Sequence, residues 1–135
     1  MYKSYISVIS LLLALCSVNL VQAEDIKGVV VQGNGDKAQF ERALKLASNM
    51  HEVLKTTKFE VVVFGPTVKM LTVLGDEYPL IQKVQGEGIK IIACGRSLKT
   101  DHVNKDDLAP GIPVVPFGAV YIVQQEKAGW QYFKP

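Results

Sequence analysis

Two kinds of pattern alternate along the chain after residue 26. Short unbroken apolar runs recur: "KGVVVQ" at residues 27 to 32, "FEVVVFGP" from Phe59, and "IKIIAC" ending at Cys94. Strands covered on both faces look like this, as in parallel sheets. Between them lie segments with helical spacing. In "AQFERALKLASNMHEVLK" the residues Phe40, Ala43, Leu44, Ala47, Met50, His51 and Leu54 recur at steps of three and four. That spacing places them on one helical face. Glu41, Arg42, Lys45, Ser48, Glu52 and Lys55 form the polar side. Gly33-Asn34-Gly35-Asp36 is a turn cluster before this helix, and Asp36 is placed to cap it.

The second half follows the same alternation with shorter pieces. Gly65-Pro66 stops the second strand, and "TVKMLTVL" predicts a short helix. "YPLIQKVQGEG" predicts another, with Leu80, Ile81 and Val84 apolar and Gly86 or Gly88 near its end. "GRSLKTDHVNKDDLAPG" reads as a loop with room for a short helix or two. "IPVVP" is a fourth strand, bracketed by prolines and so not a long central one. "GAVYIVQQEKAG" is open at this level. Its β-branched content suggests a strand, whereas Ala119, Ile122, Val123 and Glu126 fit helical spacing and Gly129 would stop a helix. "WQYFKP" closes the chain as an aromatic strand.

Alternating strands and helices with short turns imply an α/β fold, a mostly parallel sheet with helices on both faces. The working surface of such folds lies at the carboxyl ends of the strands. Gly33-Asn34, Gly65-Pro66 and Cys94-Gly95 each follow an apolar strand, so they are expected along one rim.

Composition narrows the function classes. The chain has 135 residues, enough for one domain with a real core. Hydrophobic residues make up 48% of it, which predicts a globular domain and not a disordered one. Net charge is +2 and no basic stripe appears, so nucleic acid is not an expected partner. The first 23 residues differ from the rest. Lys3, an apolar run and Val21-Gln22-Ala23 suit a signal peptide cut after Ala23, leaving a domain from 24 to 135. The run is short for a transmembrane helix, which needs ~20 apolar residues. The expectation is a periplasmic protein with no membrane attachment after cleavage. The alternatives are a retained N-terminal anchor, or lipidation at Cys16, although Leu15 fits poorly before a lipidated cysteine.

Removal of Cys16 with the signal leaves Cys94 without a partner in a compartment that favours disulfides. The residue is then packed, bonded to another molecule, or a working thiol. If a helix starts at Gly95, its N–H groups point at the sulfur and favour thiolate over thiol. Arg96 adds a cation nearby, and Ser97 joins the rim. His102, in the same loop, has the chemistry of a base or donor, or is simply a solvated loop residue. His51 lies on the apolar face of the first helix and reads as a core-edge residue. One cysteine and two distant histidines make no zinc spacing. GxGxxG, CxxC and GxSxG patterns are absent from the sequence, and no cofactor or metal is expected.

The order of the pieces is familiar. "VVVFGPTVKML", "IQKVQGEGIKIIACGRSL" and "DDLAPGIPVVPFGAVYIVQQEKAGWQYFKP" together resemble the DsrE/DsrF-like family of sulfur-relay proteins. The most specific part is the glycine-preceded strand from Gly88 to Cys94, and "AGWQYFKP" is similar to the family's Gly-aromatic ending. The resemblance implies a three-layer α/β domain of about five strands, flavodoxin-like in outline. It favours a helix for "GAVYIVQQEKAG". It implies that Cys94 accepts sulfane sulfur as a persulfide and passes it on, as a carrier or sulfurtransferase, and that the protein is a trimer or hexamer. The export signal is a departure, because familiar relay members act in the cytoplasm. The sulfur donor and acceptor are not named by the sequence. A binding or assembly module with Cys94 packed, and a one-thiol redox sensor, are the alternative functions.

Overall fold

The computed structural model describes residues 25–135. The expected signal segment 1–23 and Cys16 lie outside the described residues. Among the described residues no helix is long and apolar enough to cross a membrane.

The first strand, β1 (Gly28–Gln32), runs into helix α1 (Lys37–Val53). Asp36 caps that helix: its carboxylate accepts from the Gln39 amide at 2.8 Å, and the Gln39 side chain accepts from the Asp36 amide at 2.9 Å. This reciprocal pair satisfies two donors that a helix start otherwise leaves open. Strand β2 (Lys58–Val63) leads to a 3₁₀ segment, Gly65–Leu71, then to α2 (Tyr78–Gly86) and β3 (Lys90–Cys94). The loop after Cys94 contains α3 (Gly95–Thr100) and a 3₁₀ turn, Lys105–Asp107. Strand β4 has two residues, Val114–Val115. "GAVYIVQQEKAG" is a helix, α4 (Gly118–Lys127), and β5 (Gln131–Phe133) ends the sheet.

All five strands are parallel in the order β4-β3-β2-β1-β5. This order distributes the helices unequally. From β1 to β4 each crossover steps to the next strand in one direction. Right-handed connections therefore place α1, α2, α3 and the 3₁₀ turns on one face. From β4 to β5 the chain returns across three strands, and the same handedness puts α4 on the opposite face. The layers are helix, sheet, helix, but α4 is the only helix of its layer among the described residues.

The core reflects that imbalance. The larger part joins Val29, Val31, Phe59, Val61, Val63, Ile91 and Ala93 of the sheet to Phe40, Leu44, Val68, Leu71, Ile81, Val84 and Leu98. The smaller part holds Val30, Val62, Ile92 and Ile122, flanked by Phe64, Tyr121 and Trp130. Alternate residues of each central strand thus enter separate cores, which is why these strands carry no polar alternation. His51 sits at the edge of the larger core, its ring edge-on to Phe59 at 5.5 Å between centroids.

Val62 and Ile91 are fully buried, one facing each core. Replacement of either by Asp is expected to unfold the domain. An unpaired buried charge costs several kcal/mol, comparable with the ~5–15 kcal/mol total stability of a small domain. Thermal unfolding followed by circular dichroism checks this; a wild-type transition in either variant would contradict the strand assignment.

Candidate functional site: a cysteine between two helix starts

Because every strand runs the same way, the carboxyl ends of β1, β2 and β3 meet on one rim. Three hydrogen-bonded ties hold the rim loops together. Asn34 Oδ1 accepts from the Phe64 amide at 3.2 Å. Thr67 Oγ1 accepts from the Gly35 amide at 2.9 Å and donates to the Gly35 carbonyl at 2.7 Å. Ser97 Oγ accepts from the Gly65 amide at 2.8 Å, and Gly65 turns there with φ 64°.

Cys94 ends β3 at the centre of this arrangement. It lines an open cleft of about 410 Å³ together with Phe64, Pro66, Arg96, Ser97, Asp101 and Phe117. The residue is 2% exposed, so its sulfur faces the cleft from near the floor. The sequence led us to expect a more open thiol. The cover comes from α4, whose first residue Gly118 packs directly against it. A Cβ at Gly118 would lie 3.1 Å from Cys94 Cβ and 3.3 Å from Phe64 Cβ. That is tighter than most side-chain carbon contacts, so a larger residue at 118 would make Cys94 or Phe64 give way by a few tenths of an ångström.

Donors from α3 and from the start of α4 act on the Cys94 thiol. Burial pushes the Cys94 thiol up, but the Ser97 hydroxyl and the amides of Gly118, Ser97 and Arg96 outweigh it and hold the thiol below its ordinary value. The Ser97 oxygen accepts from the Gly65 amide at 2.8 Å, which leaves its own proton free to turn to the sulfur. The Arg96 amide donates to the Pro116 carbonyl at 3.2 Å, which ties α3 to the segment leading into α4. Gly118 opens a ten-residue helix, so the partial positive charge of a helix start adds to its amide.

These features describe a thiol set up to ionise. Comparison with known proteins adds the fold and nothing finer. The chain is similar to a protein of unknown function, MTH1491 from Methanobacterium thermoautotrophicum, with a TM-score of 0.75 and 24% identity over 82% of this chain and 99% of that one. It is similar to the YchN protein from E. coli, with a TM-score of 0.69 and 12% identity over 82% of this chain and 100% of that one. A third likeness is to BT1422, a conserved protein of unknown function from Bacteroides thetaiotaomicron, with a TM-score of 0.64, 18% identity, and coverage of 81% of this chain and 95% of that one. No family model and no curated protein matches the chain.

The rim residues read from the sequence divide by role. Cys94, Arg96, Ser97 and Gly65 line the cleft. Asn34 supports it from the second row, and Gly33 continues the β1 pairing through its amide to the Val62 carbonyl at 2.9 Å. Gly95 serves β4 and not the sulfur: a Cβ there would lie 3.2 Å from the Val115 carbonyl oxygen. His102 is exposed, ends the turn after α3 with φ 55°, and is not among the cleft-lining residues. The Arg96 guanidinium lies 5.1 Å from the Phe117 ring centroid, which fixes a cation at the mouth of the cleft. Asp101 is tied to Lys69 at 3.3 Å.

Sequence reasoning missed Phe64, Thr67, Asp101, Phe117 and Gly118. The available signal for Gly118 was its place at the start of a segment with helical spacing, directly after Pro116-Phe117.

Alkylation of Cys94 is expected to follow a pH midpoint below the free-thiol value of ~8.5. Ser97→Ala, which removes a hydroxyl donor, should raise the midpoint more than Arg96→Ala. The Arg96 change should stay below about one unit because an exposed charge is screened by water. Rates measured across pH with a small uncharged reagent check the order. An unchanged midpoint in Ser97→Ala would contradict the hydrogen-bond account.

Proposed function

We propose that this domain carries sulfane sulfur as a persulfide on Cys94. The observation that carries the reading is a cleft-lining cysteine at a strand end, with Gly118 packed against it and Ser97 and Arg96 lining the same cleft, whose thiol is held below its ordinary value. The Cys94 thiolate attacks the outer sulfur of a donor persulfide. A sulfur–sulfur bond forms to Cys94, the donor's own sulfur–sulfur bond breaks, and its electron pair leaves with the donor thiolate. Transfer to an acceptor thiolate repeats the exchange in reverse and returns Cys94 to its starting state. No external oxidant or reductant is consumed. The same donors that favour the thiolate favour the persulfide anion, and the Arg96 cation attracts an anionic donor to the cleft. The resemblance to the DsrE/DsrF-like family supports this reading.

The reading includes export and assembly. The N-terminal pattern supports cleavage after Ala23 and a periplasmic location. For assembly, Phe117 just before α4 and Val120 and Val123 along it recur at steps of three and remain exposed, and α4 is the lone helix of its layer among the described residues. Tyr132 lies on the same side of the sheet, as its register partner Val30 does. A second copy of the chain covering this stripe would complete the thin layer, in keeping with a trimer or hexamer.

Intact mass after treatment with glutathione persulfide tests the central step. A gain of one sulfur atom in wild type, absent in a folded Cys94→Ser variant, is expected. No gain in wild type would overturn the carrier reading. Modification by peroxide without sulfur loading would favour the redox-sensor function instead. For assembly, sedimentation should show an oligomer that Val123→Glu converts to folded monomer; a monomeric wild type would contradict it. Sequencing of the exported protein is expected to begin near Glu24, and a membrane-retained intact N-terminus would contradict cleavage.

A further inference from the structure

The thin side of the sheet contains a polar cluster that the carrier reading leaves unused. Glu60 lies in the middle of β2, otherwise apolar after Lys58, and is 6% exposed. One of its oxygens, Oε2, accepts from the Tyr121 hydroxyl at 2.8 Å and from Gln125 Nε2 at 2.8 Å. Gln125 Nε2 also lies 3.1 Å from the Tyr121 oxygen. All three groups tie α4 to the sheet. The apolar seat of α4 is small by comparison, since Gly118 and Ile122 are its buried residues.

A buried carboxylate is a costly way to dock a helix. Apolar replacements of such networks are often neutral or stabilising. What a directional network adds is geometry. Apolar contact tolerates sliding and rotation, while two hydrogen bonds converging on one oxygen do not. The requirement for geometry lies one helical turn away. Tyr121 is three residues from Gly118, about 4.5 Å along the axis. Gly118 packs against Cys94 so closely that an added methyl would lie 3.1 Å from Cys94 Cβ, and its amide helps to hold the thiol below its ordinary value.

We propose that Glu60 is a positioning residue for Cys94: through Tyr121 and Gln125 it sets the rotation and depth of α4, and so the placement of the Gly118 amide against the sulfur. The inference rests on Cys94 working as a thiolate, as argued above. Direct action of the Glu60 charge has the opposite sign: a carboxylate disfavours a nearby thiolate, so loss of the charge alone would lower the midpoint. Its register partner is Lys90, four residues before Cys94, which is about 13 Å at strand spacing. Lys58 and Lys90 stand with Glu60 at the same end of the sheet, while Arg96 and Asp101 are the charged groups lining the cleft near Cys94. Burial and then the hydrogen bond and charge of Glu60 push the Tyr121 phenol to about 12, so it remains a donor across the neutral range.

The test compares alkylation of Cys94 by iodoacetamide across pH in the wild-type chain, Tyr121→Phe, Glu60→Leu and Glu60→Gln. Thermal unfolding of each shows that it is folded. Tyr121→Phe keeps the Glu60 charge and removes one bond; Glu60→Leu removes both. Both are expected to move the midpoint upward, by about half a unit for Glu60→Leu, which slows alkylation roughly threefold below the midpoint. Glu60→Gln keeps an acceptor oxygen for both donors and should restore the wild-type midpoint. A purely structural role would lower the melting temperature and leave the midpoint in place, and that result would overturn the proposal. If Glu60→Leu does not fold, Tyr121→Phe decides alone. Persulfide loading is measured on the same samples. Loading with an unmoved midpoint defeats the positioning role, while a moved midpoint without loading in wild type defeats the carrier reading and leaves the positioning intact.

Discussion

Every strand of this sheet points the same way, and the site follows from that constraint. Parallel strands deliver their carboxyl ends to one rim. The segments that follow must start there, so their free amides gather at the same edge. Cys94 ends the third strand and meets the amides of the chain that continues from it. The return crossover from β4 adds a second helix start from the opposite layer. A sulfur at a strand end is usually packed and inert. Here it is buried and still supplied with donors, and burial without donors would have held it as a thiol.

The two layers divide the labour. The layer of α1 and α2 contains most of the apolar core and resembles a conventional half of an α/β domain. The layer of α4 has few buried apolar residues and a polar anchor instead. One element therefore closes the cleft, donates to the sulfur and exposes an apolar stripe to its surroundings. A partner seated on that stripe would bear on the helix that touches Cys94. The larger apolar core lies in one layer, and the helix that packs on Cys94 lies in the other.

Much of the fold was legible because burial on two faces leaves unbroken apolar runs. Residues 61 to 63 and 91 to 93 are apolar throughout for that reason, and the spacing from Phe40 to Ala47 marks one buried helical face. The rim was legible too, since Gly33, Gly65 and Cys94 each follow such a run. The unequal layers were not, because strand order is set by long-range pairing that no local pattern records. The segment from Gly118 to Lys127 stayed open for a related reason. It buries little, so its helical periodicity is weak, and Val120 and Val123 point to solvent. Gly118 and Phe117 reach the cysteine only through that crossover, and so left no trace near Cys94 in the sequence. His102 was adjacent in sequence, yet the left-handed turn after α3 leaves it exposed and outside the cleft.

The central claim is that hydrogen-bond donors outweigh burial at Cys94 and hold its thiol below the ordinary value. The most direct measurement is a titration of the Cys94 Cβ resonance in protein carrying ¹³C-labelled cysteine, assigned by its loss in Cys94→Ser. The account predicts a midpoint below the free value of ~8.5. A midpoint at or above that value would show that burial prevails and would contradict it.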